Sequence, residues 1–233
     1  MTDINPLLDF TGLPRFAAIN AGHIAPAIDR LLAENRACID MLTRPETPAT
    51  WAAFVSPLED ANERLARAWG VVGHLHGVLD SPELRAAYNA NQPRIVQYYT
   101  ELGQNLQLFD KYKSLRASPE FVTLAQAQRQ IVENEIRDFR LSGAELSQDK
   151  KQRFAAISEE LARLATKFSE NVLDATNAFS LCVEDRSELA GIPEDVIDAA
   201  RAAADKDGKS GWKFSLQAPS YVPFMQYADK REL

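Results

Sequence analysis

Residues 148–178 read QDKKQRFAAISEELARLATKFSENVLDATNA, and this stretch decides the fold. Its apolar side chains recur every three or four positions, which is the spacing of one face of an α-helix. The residues of this repeat are Phe154, Ile157, Leu161, Leu164, Phe168, Val172 and Ala175. Because this spacing is close to a heptad seam, the stretch predicts one long helix that packs lengthwise against antiparallel neighbours.

Two helix starts are marked by the same short pattern. Ser81-Pro82-Glu83 and Ser118-Pro119-Glu120 each place a capping hydroxyl, a proline and an acid in the order that a helix N-terminus favours. They predict helices near 82–113 and 119–141. Pro93 is expected to bend or break the first of these.

Two more helices are predicted nearer the N-terminus. Apolar residues three or four positions apart predict a helix over 21–42. A second helix is predicted from Trp51 to Asp80, with Thr50 as its N-cap. Pro57 is expected to kink this helix near its start.

Two short segments near the C-terminus alternate like strands. They are FSLCV (179–183) and WKFSL (212–216), with a short helix ending near Ala204 between them, so they are predicted to pair. The predicted fold class is therefore mainly α, with long antiparallel helices and a small two-stranded β element near the C-terminus. We predict an N-terminal helical domain over 1–178 and a second region over 179–233.

The composition and the charge of the chain disfavour several classes of partner and site. The 233 residues include 26 basic and 33 acidic side chains, for a formal net charge of −7, which disfavours nucleic acid and anionic membranes as partners. Cys38 and Cys182 match no metal-ligand spacing and predict free thiols. No signal-peptide pattern and no apolar run of membrane-spanning length is present in the sequence, so we expect a cytoplasmic protein.

No group of residues predicts an active site. His74 and His76 are two positions apart and point to different faces of a helix, so they do not form a chelating pair. DGKS (207–210) lacks the earlier glycine of a phosphate-binding loop, and the overlapping DKDG lacks the glutamate of a calcium loop. Acidic pairs such as Glu133 and Glu135 are expected on helix surfaces. We expect no catalytic, cofactor-binding or metal-ligating residue in this chain.

Long stretches of the chain resemble one family. NPLLDFTGLPRF (5–16) and RDFRLSGAELSQDKKQRFAAISEELARLATKFSENVLDATNAF (137–179) are similar to the N-terminal part of the thimet oligopeptidase family. The resemblance runs collinearly over essentially the whole chain. Members of this family are zinc metallopeptidases that cut short peptides. The resemblance implies a mostly helical fold whose N-terminal helices form one wall of a deep channel over the zinc.

The catalytic motif of that family is not found among these residues. The family holds zinc with a His-Glu-x-x-His helix and a later glutamate, and no histidine in this sequence is followed by glutamate. The resemblance therefore implies a non-catalytic N-terminal region, inactive alone, with zinc expected in the full-length protein. Short peptides and the protein's own catalytic domain are the implied partners. Residues 179–233 would form the incomplete start of the junction to that domain.

The channel wall and the chain end supply two further expectations. The polar faces of helices 82–113 and 148–178 are the first candidates for the wall. The end of the chain is apolar and aromatic, and we expect self-association through it because exposed aromatic patches favour association. The side chains in question are Tyr221, Phe224, Met225 and Tyr227.

Two alternative functions stay open. One is a stand-alone helical module that binds peptides or proteins without catalysis. The other is a metalloenzyme that uses His74 and His76, which would require stoichiometric zinc in the purified chain.

Overall fold

A computed structural model describes residues 5–233 of the chain. Its α-helices are α1 (Ile24–Leu42), α2 (Ser56–Val78), α3 (Pro82–Gly103), α4 (Leu106–Ala117), α5 (Gln126–Leu141), α6 (Gln148–Ala178), α7 (Glu194–Lys206) and α8 (Ala218–Tyr227). The strands are β1 (Leu181–Val183) and β2 (Trp212–Phe214). The predicted fold class, mainly α with a small two-stranded sheet near the C-terminus, is confirmed.

The chain divides into two compact units. The first ends at Arg163 and the second comprises Leu164–Leu233. The division predicted at residue 178 concerned a junction to a catalytic domain, and it stays a prediction.

The long helix α6 has the bounds that its sequence predicts, and two earlier helices begin differently. A 3₁₀ turn, Ala21–His23, precedes α1. A π-helical turn, Trp51–Val55, precedes α2, and the Thr50 hydroxyl accepts a hydrogen bond from the Ala53 amide. Pro57 lies in the first turn of α2, directly after the π-helical turn, and the expected kink stays a prediction.

The prediction of one helix over 82–113 is wrong about where the chain breaks. Pro93 lies inside α3, which continues to Gly103. The break comes at Asn105, whose side chain accepts hydrogen bonds from the Gln107 and Leu108 amides and so starts α4. A capping side chain two positions after a glycine therefore sets the boundary, whereas one internal proline does not.

The prediction that a helix begins at Ser118-Pro119-Glu120 is also wrong. The Ser118 hydroxyl donates to the Leu115 carbonyl and closes α4, and α5 begins only at Gln126. The Glu120 carboxylate accepts a hydrogen bond from the backbone N–H of Trp51, at 3.0 Å. The acid therefore satisfies an amide in the first turn of a different helix, a long-range contact that local pattern does not show.

The first unit has two apolar cores. The core formed mainly by α1, α2 and α3 contains Leu7, Ile24, Ala27, Ile28, Leu31, Leu32, Leu65, Ala68, Val71, Val72, Leu75, Leu84, Ile95 and Tyr98. The core formed mainly by α4, α5 and the start of α2 contains Leu42, Phe54, Val55, Leu58, Leu108, Phe109, Tyr112, Leu115, Val132, Ile136, Phe139 and Ala144.

A buried polar network ties α1, α2 and α3 together. Asn35 Nδ2 donates to the Tyr98 hydroxyl at 3.1 Å, and that hydroxyl donates to Asn62 Oδ1 at 2.6 Å. Burial raises the pKa of Tyr98 to about 12. Because these buried polar groups are hydrogen-bonded to one another, the bonds offset the cost of burying them and link the three helices.

The second unit is built around the two short strands. β1 and β2 pair antiparallel, with Cys182 opposite Lys213, so the predicted pairing is confirmed over a shorter length. Phe224 of α8 packs edge-on against Phe214, with ring centroids 4.7 Å apart. The buried side chains of this unit's core are Val183, Leu189, Ile192, Ile197, Ala200, Phe214 and Phe224.

The aromatic chain end is only partly exposed. Tyr221, Met225 and Tyr227 are exposed, as the expected association patch requires, but Phe224 is buried. Phe224 therefore belongs to the core of the second unit and not to the patch. The reason is the helical spacing of α8, which turns one side chain of the four inwards.

Candidate functional site

A groove lies between α3 and α6 in the first unit. It encloses about 290 Å³. Its lining residues are Pro93, Val96, Gln97, Thr100, Glu101, Gln104, Ala155 and Glu159. Five of these lie on α3, Gln104 caps the C-terminal end of α3, and two lie on α6. The groove is therefore formed by the two helices whose polar faces the sequence suggested for a channel wall.

Two hydrogen bonds to backbone carbonyls hold α6 against α3. Gln92 Nε2 donates to the Ala162 carbonyl at 3.2 Å. Lys151 Nζ donates to the Gln104 carbonyl at 3.1 Å, which satisfies a carbonyl at the C-terminal end of α3. The small side chain of Ala155 lines the groove between these two bonds. Small residues on α6 therefore leave the space that the groove occupies.

The groove offers both hydrogen-bond donors and acceptors. Gln97 Nε2 donates to Glu101 Oε1 at 2.7 Å, and Arg36 lies 3.3 Å from the other oxygen of the same carboxylate. Gln104 Nε2 is buried and makes no hydrogen bond with any of residues 5–233. With Thr100 and Glu159, these groups can bind a peptide backbone, which presents one donor and one acceptor per residue.

The three histidines have structural contacts. The His74 ring lies 5.3 Å from that of Phe16, and the His76 ring stacks on Tyr88 at 4.2 Å. His23 Nδ1 accepts a hydrogen bond from the Asn20 amide and caps the turn before α1. The structure thus gives each histidine a neighbour in the fold, and His74 and His76 contact different aromatic rings.

The described residues do not fit the zinc site that the family resemblance implies. Within residues 5–233 no three His, Cys, Asp or Glu side chains are grouped so that they could hold a metal ion. A catalytic zinc site needs three such protein ligands.

Neither cysteine has the surroundings of an activated nucleophile. The Cys38 thiol donates to the Pro57 carbonyl at 3.7 Å, and burial raises its pKa, which disfavours the reactive thiolate. Cys182 is exposed on β1, and its Sγ lies 4.0 Å from Lys209 Nζ. A lone lysine at this distance does not supply the general base that nucleophilic catalysis requires.

The loop that holds DKDG and DGKS is a surface turn. Lys213 of β2 forms an ion pair with Asp207 and lowers the pKa of that carboxyl. Asp207 is thus held by a lysine of the neighbouring strand, an arrangement that matches neither a phosphate-binding nor a calcium-binding loop.

An interaction between two acids, Glu135 of α5 and Glu59 of α2, was not predicted from the sequence. Glu135 is half-buried, and burial together with the Glu59 carboxylate raises its pKa to about 7. Burial also raises the pKa of Glu59, whose Oε1 lies 3.5 Å from the Tyr112 hydroxyl. The signal was available, because Glu135 lies three positions after Val132 and four before Phe139, on the buried side of α5.

Comparison with known proteins identifies the family to which the chain belongs. Residues 28–151 match the family model described as the N-terminal domain of neurolysin and thimet oligopeptidase. Oligopeptidase A of Haemophilus influenzae is 42% identical over 233 residues, which are 100% of this chain and 34% of that protein. The probable cytosolic oligopeptidase A of Arabidopsis thaliana is 39% identical over 98% of this chain and 34% of its own length. For oligopeptidase A of Escherichia coli the values are 38%, 98% and 34%.

The chain spans about a third of the length of these relatives. It corresponds to their N-terminal part. No helix formed by residues 5–233 is both long and apolar enough to cross a membrane.

Proposed function

Because the chain belongs to the neurolysin/thimet oligopeptidase family, we propose that it is the non-catalytic N-terminal region of a zinc metalloendopeptidase like oligopeptidase A. The complete protein hydrolyses short peptides in the cytoplasm. The observation that carries this proposal is the similarity to oligopeptidase A along the entire chain. The oligopeptidase A relatives are about three times as long as this chain. The zinc ligands and the catalytic glutamate belong to the part of the protein that the relatives have in addition.

In this proposal the first unit contributes part of the wall of a substrate channel. The α3–α6 groove receives a segment of the peptide, and Gln97, Thr100 and Gln104 provide hydrogen-bonding groups for its backbone. The buried Gln104 amide without a partner in the described chain supports this role, because a ligand carbonyl there would relieve a desolvation penalty. Binding remote from the reacting bond orients the substrate and limits its size.

The same proposal implies the partners of the complete protein. They are short peptides and the protein's own catalytic domain, and the net charge of −7 disfavours nucleic acid and anionic membranes. When the 233 residues are studied alone, Tyr221, Met225 and Tyr227 provide an exposed apolar patch for self-association.

The test compares the 233-residue chain with the complete protein on a short quenched-fluorescent peptide. We expect hydrolysis by the complete protein, loss of this activity with a chelator, and no hydrolysis by the 233 residues. Hydrolysis by the short chain would contradict the proposal. If the complete protein binds the peptide but does not cleave it, the stand-alone binding module is the better reading.

The groove can be tested in the complete protein by filling it. Thr100→Trp places a bulky ring in the groove, and we expect KM for the peptide to rise several-fold. Gln107→Trp, at an exposed position of α4 that does not line the groove, is the matched control. Equal effects of the two substitutions, or no effect of either, would remove the groove from the substrate path.

A further inference from the structure

The apolar repeat of α6 faces solvent. We define the apolar seam as Ile157, Leu161, Leu164, Phe168 and Val172, whose exposed fractions are 42%, 62%, 49%, 70% and 50%. Single exposed apolar residues are common, but a contiguous row on one helix face marks an interaction surface. At about 1.5 Å per residue the row is roughly 22 Å long.

The exposure results from how α6 is rotated about its axis. Lys151, Ala155, Ser158 and Ala162 are the half-buried residues towards the N-terminal half of the helix, together with Phe154. Ala155 lines the groove with α3, and the Ala162 carbonyl accepts from Gln92 of α3. At about 100° per residue this small and polar side is centred more than a quarter turn away from the seam. An amphipathic helix normally buries its apolar side, but residues 5–233 leave this side of α6 largely uncovered.

The seam also has the chemistry of a protein contact. It bears five aliphatic or aromatic side chains and no charge within the row, so it suits another apolar surface and offers nothing to a polar or ionic ligand. Its heptad-like spacing fits another helix or a comparable ridge of side chains.

We propose that the seam is covered, in the complete protein, by the part of the polypeptide that the oligopeptidase A relatives have and this chain lacks. The relatives extend to about three times the length of these 233 residues, which leaves ample chain to cover the row. A covalently attached partner also has a high effective concentration, which favours it over a second copy of this chain. The inference rests on the proposed function only in taking the complete protein to resemble oligopeptidase A in length.

The experiment compares thiol labelling at single sites in the 233-residue chain and in the complete protein. Val172→Cys probes the seam with little change in side-chain volume. Ala156→Cys is the control, because it is exposed on the same helix and points about 120° away from the centre of the seam. Peptide-level mass spectrometry separates these sites from Cys38 and Cys182. We expect labelling at position 172 to be at least about 10-fold slower in the complete protein, and labelling at 156 to change less than about 3-fold.

Four results would overturn the inference. They are equal labelling rates at 172 in the two proteins, slow labelling at 172 already in the 233-residue chain, protection that disappears when a dimeric complete protein is diluted to monomer, and a reading frame that ends at Leu233. Labelling does not depend on catalysis. A protected seam in a protein without peptidase activity would therefore refute only the proposed function, and an active peptidase with an open seam would refute only this inference.

Discussion

Gln92 of α3 donates a hydrogen bond from its side-chain amide to the backbone carbonyl of Ala162 on α6, at 3.2 Å. This bond fixes which side of α6 meets α3. Small residues of α6 face inwards and leave a groove with polar walls, while the apolar seam faces outwards. The way α6 packs against α3 thus creates both the groove and the exposed apolar seam.

The Tyr98 network predicts a stability loss. Tyr98→Phe removes the hydroxyl that accepts from Asn35 and donates to Asn62, and leaves the buried Asn35 amide only its longer hydrogen bond to Asn62 Oδ1, at 3.4 Å. We expect the free energy of unfolding to fall by about 1–2 kcal/mol. Urea unfolding at pH 7 measures it. Tyr99→Phe, on a neighbouring ring that is 38% exposed, is the control and should change stability by less than about 0.5 kcal/mol. Equal effects would show that the network adds nothing specific.

The raised pKa of Glu135 predicts that the stability of the fold depends on pH. The pKa of Glu135 is raised from 4.5 to about 7 by burial, Glu59 and Asp138, against a lowering by Arg137, and Tyr112 of α4 also faces this carboxyl. Below pH 4.5 the carboxyl is protonated in the folded and unfolded states. As pH rises towards 7 the unfolded chain ionises first, so the contribution of Glu135 to stability falls across this window and is lost above it.

The variant Glu135→Gln removes this loss. We expect it to raise the free energy of unfolding at pH 8 by on the order of 1 kcal/mol, and to change it little at pH 4. Urea unfolding at the two pH values measures the difference. Glu133→Gln, which breaks a surface ion pair with Arg116, is the control and should not show this gain at pH 8. A stabilisation of equal size at both pH values would contradict the assignment to Glu135.

The second unit depends on Gly191. This glycine has φ of +85°, and a Cβ there would lie 2.2 Å from the Tyr227 carbonyl, next to the hydrogen bond from Asp229 N–H to the Ala190 carbonyl. Gly191→Ala should therefore destabilise the unit by on the order of 2–3 kcal/mol. Gly208→Ala also has a positive φ but meets nothing within 4 Å, so it should cost only about 1 kcal/mol. Hydrogen exchange of the β1 and β2 amides measures the loss of stability in each variant. Equal costs would show that the contact with Tyr227 is unimportant.

The exposed chain end predicts self-association of the isolated 233 residues. Met225 and Tyr227 are 61% and 52% exposed. We expect the average mass measured by light scattering to rise at high micromolar concentration, and the double substitution Met225→Asp and Tyr227→Asp to reduce this rise. Glu232→Gln, near the same end, is a control that leaves the apolar patch intact. A chain that stays monomeric at these concentrations contradicts the expectation.

The sequence predicted the elements whose information is local. The repeat over 148–178 gave the bounds of α6, and alternation gave the pairing of 179–183 with 212–216. One of its failures was long-range. Glu120 caps Trp51 in a distant segment and does not start a helix beside it, and no local pattern reports that choice.

The candidate site shows the same limit. The sequence suggested which two helices have polar faces for a channel wall, but the groove depends on which side of α6 meets α3. Apolar periodicity predicts that the seam of α6 is buried, and in these residues it is exposed. Periodicity identifies a face that needs a partner, but it does not say whether that partner belongs to the same 233 residues.

The most direct test of the account is the reading frame that follows codon 233 in the natural gene. We predict that it continues for several hundred codons and encodes a helix with His-Glu-x-x-His and a later glutamate, the ligand set of a catalytic zinc. A frame that ends at Leu233, or one that continues without this motif, would contradict the assignment of the chain to a metallopeptidase.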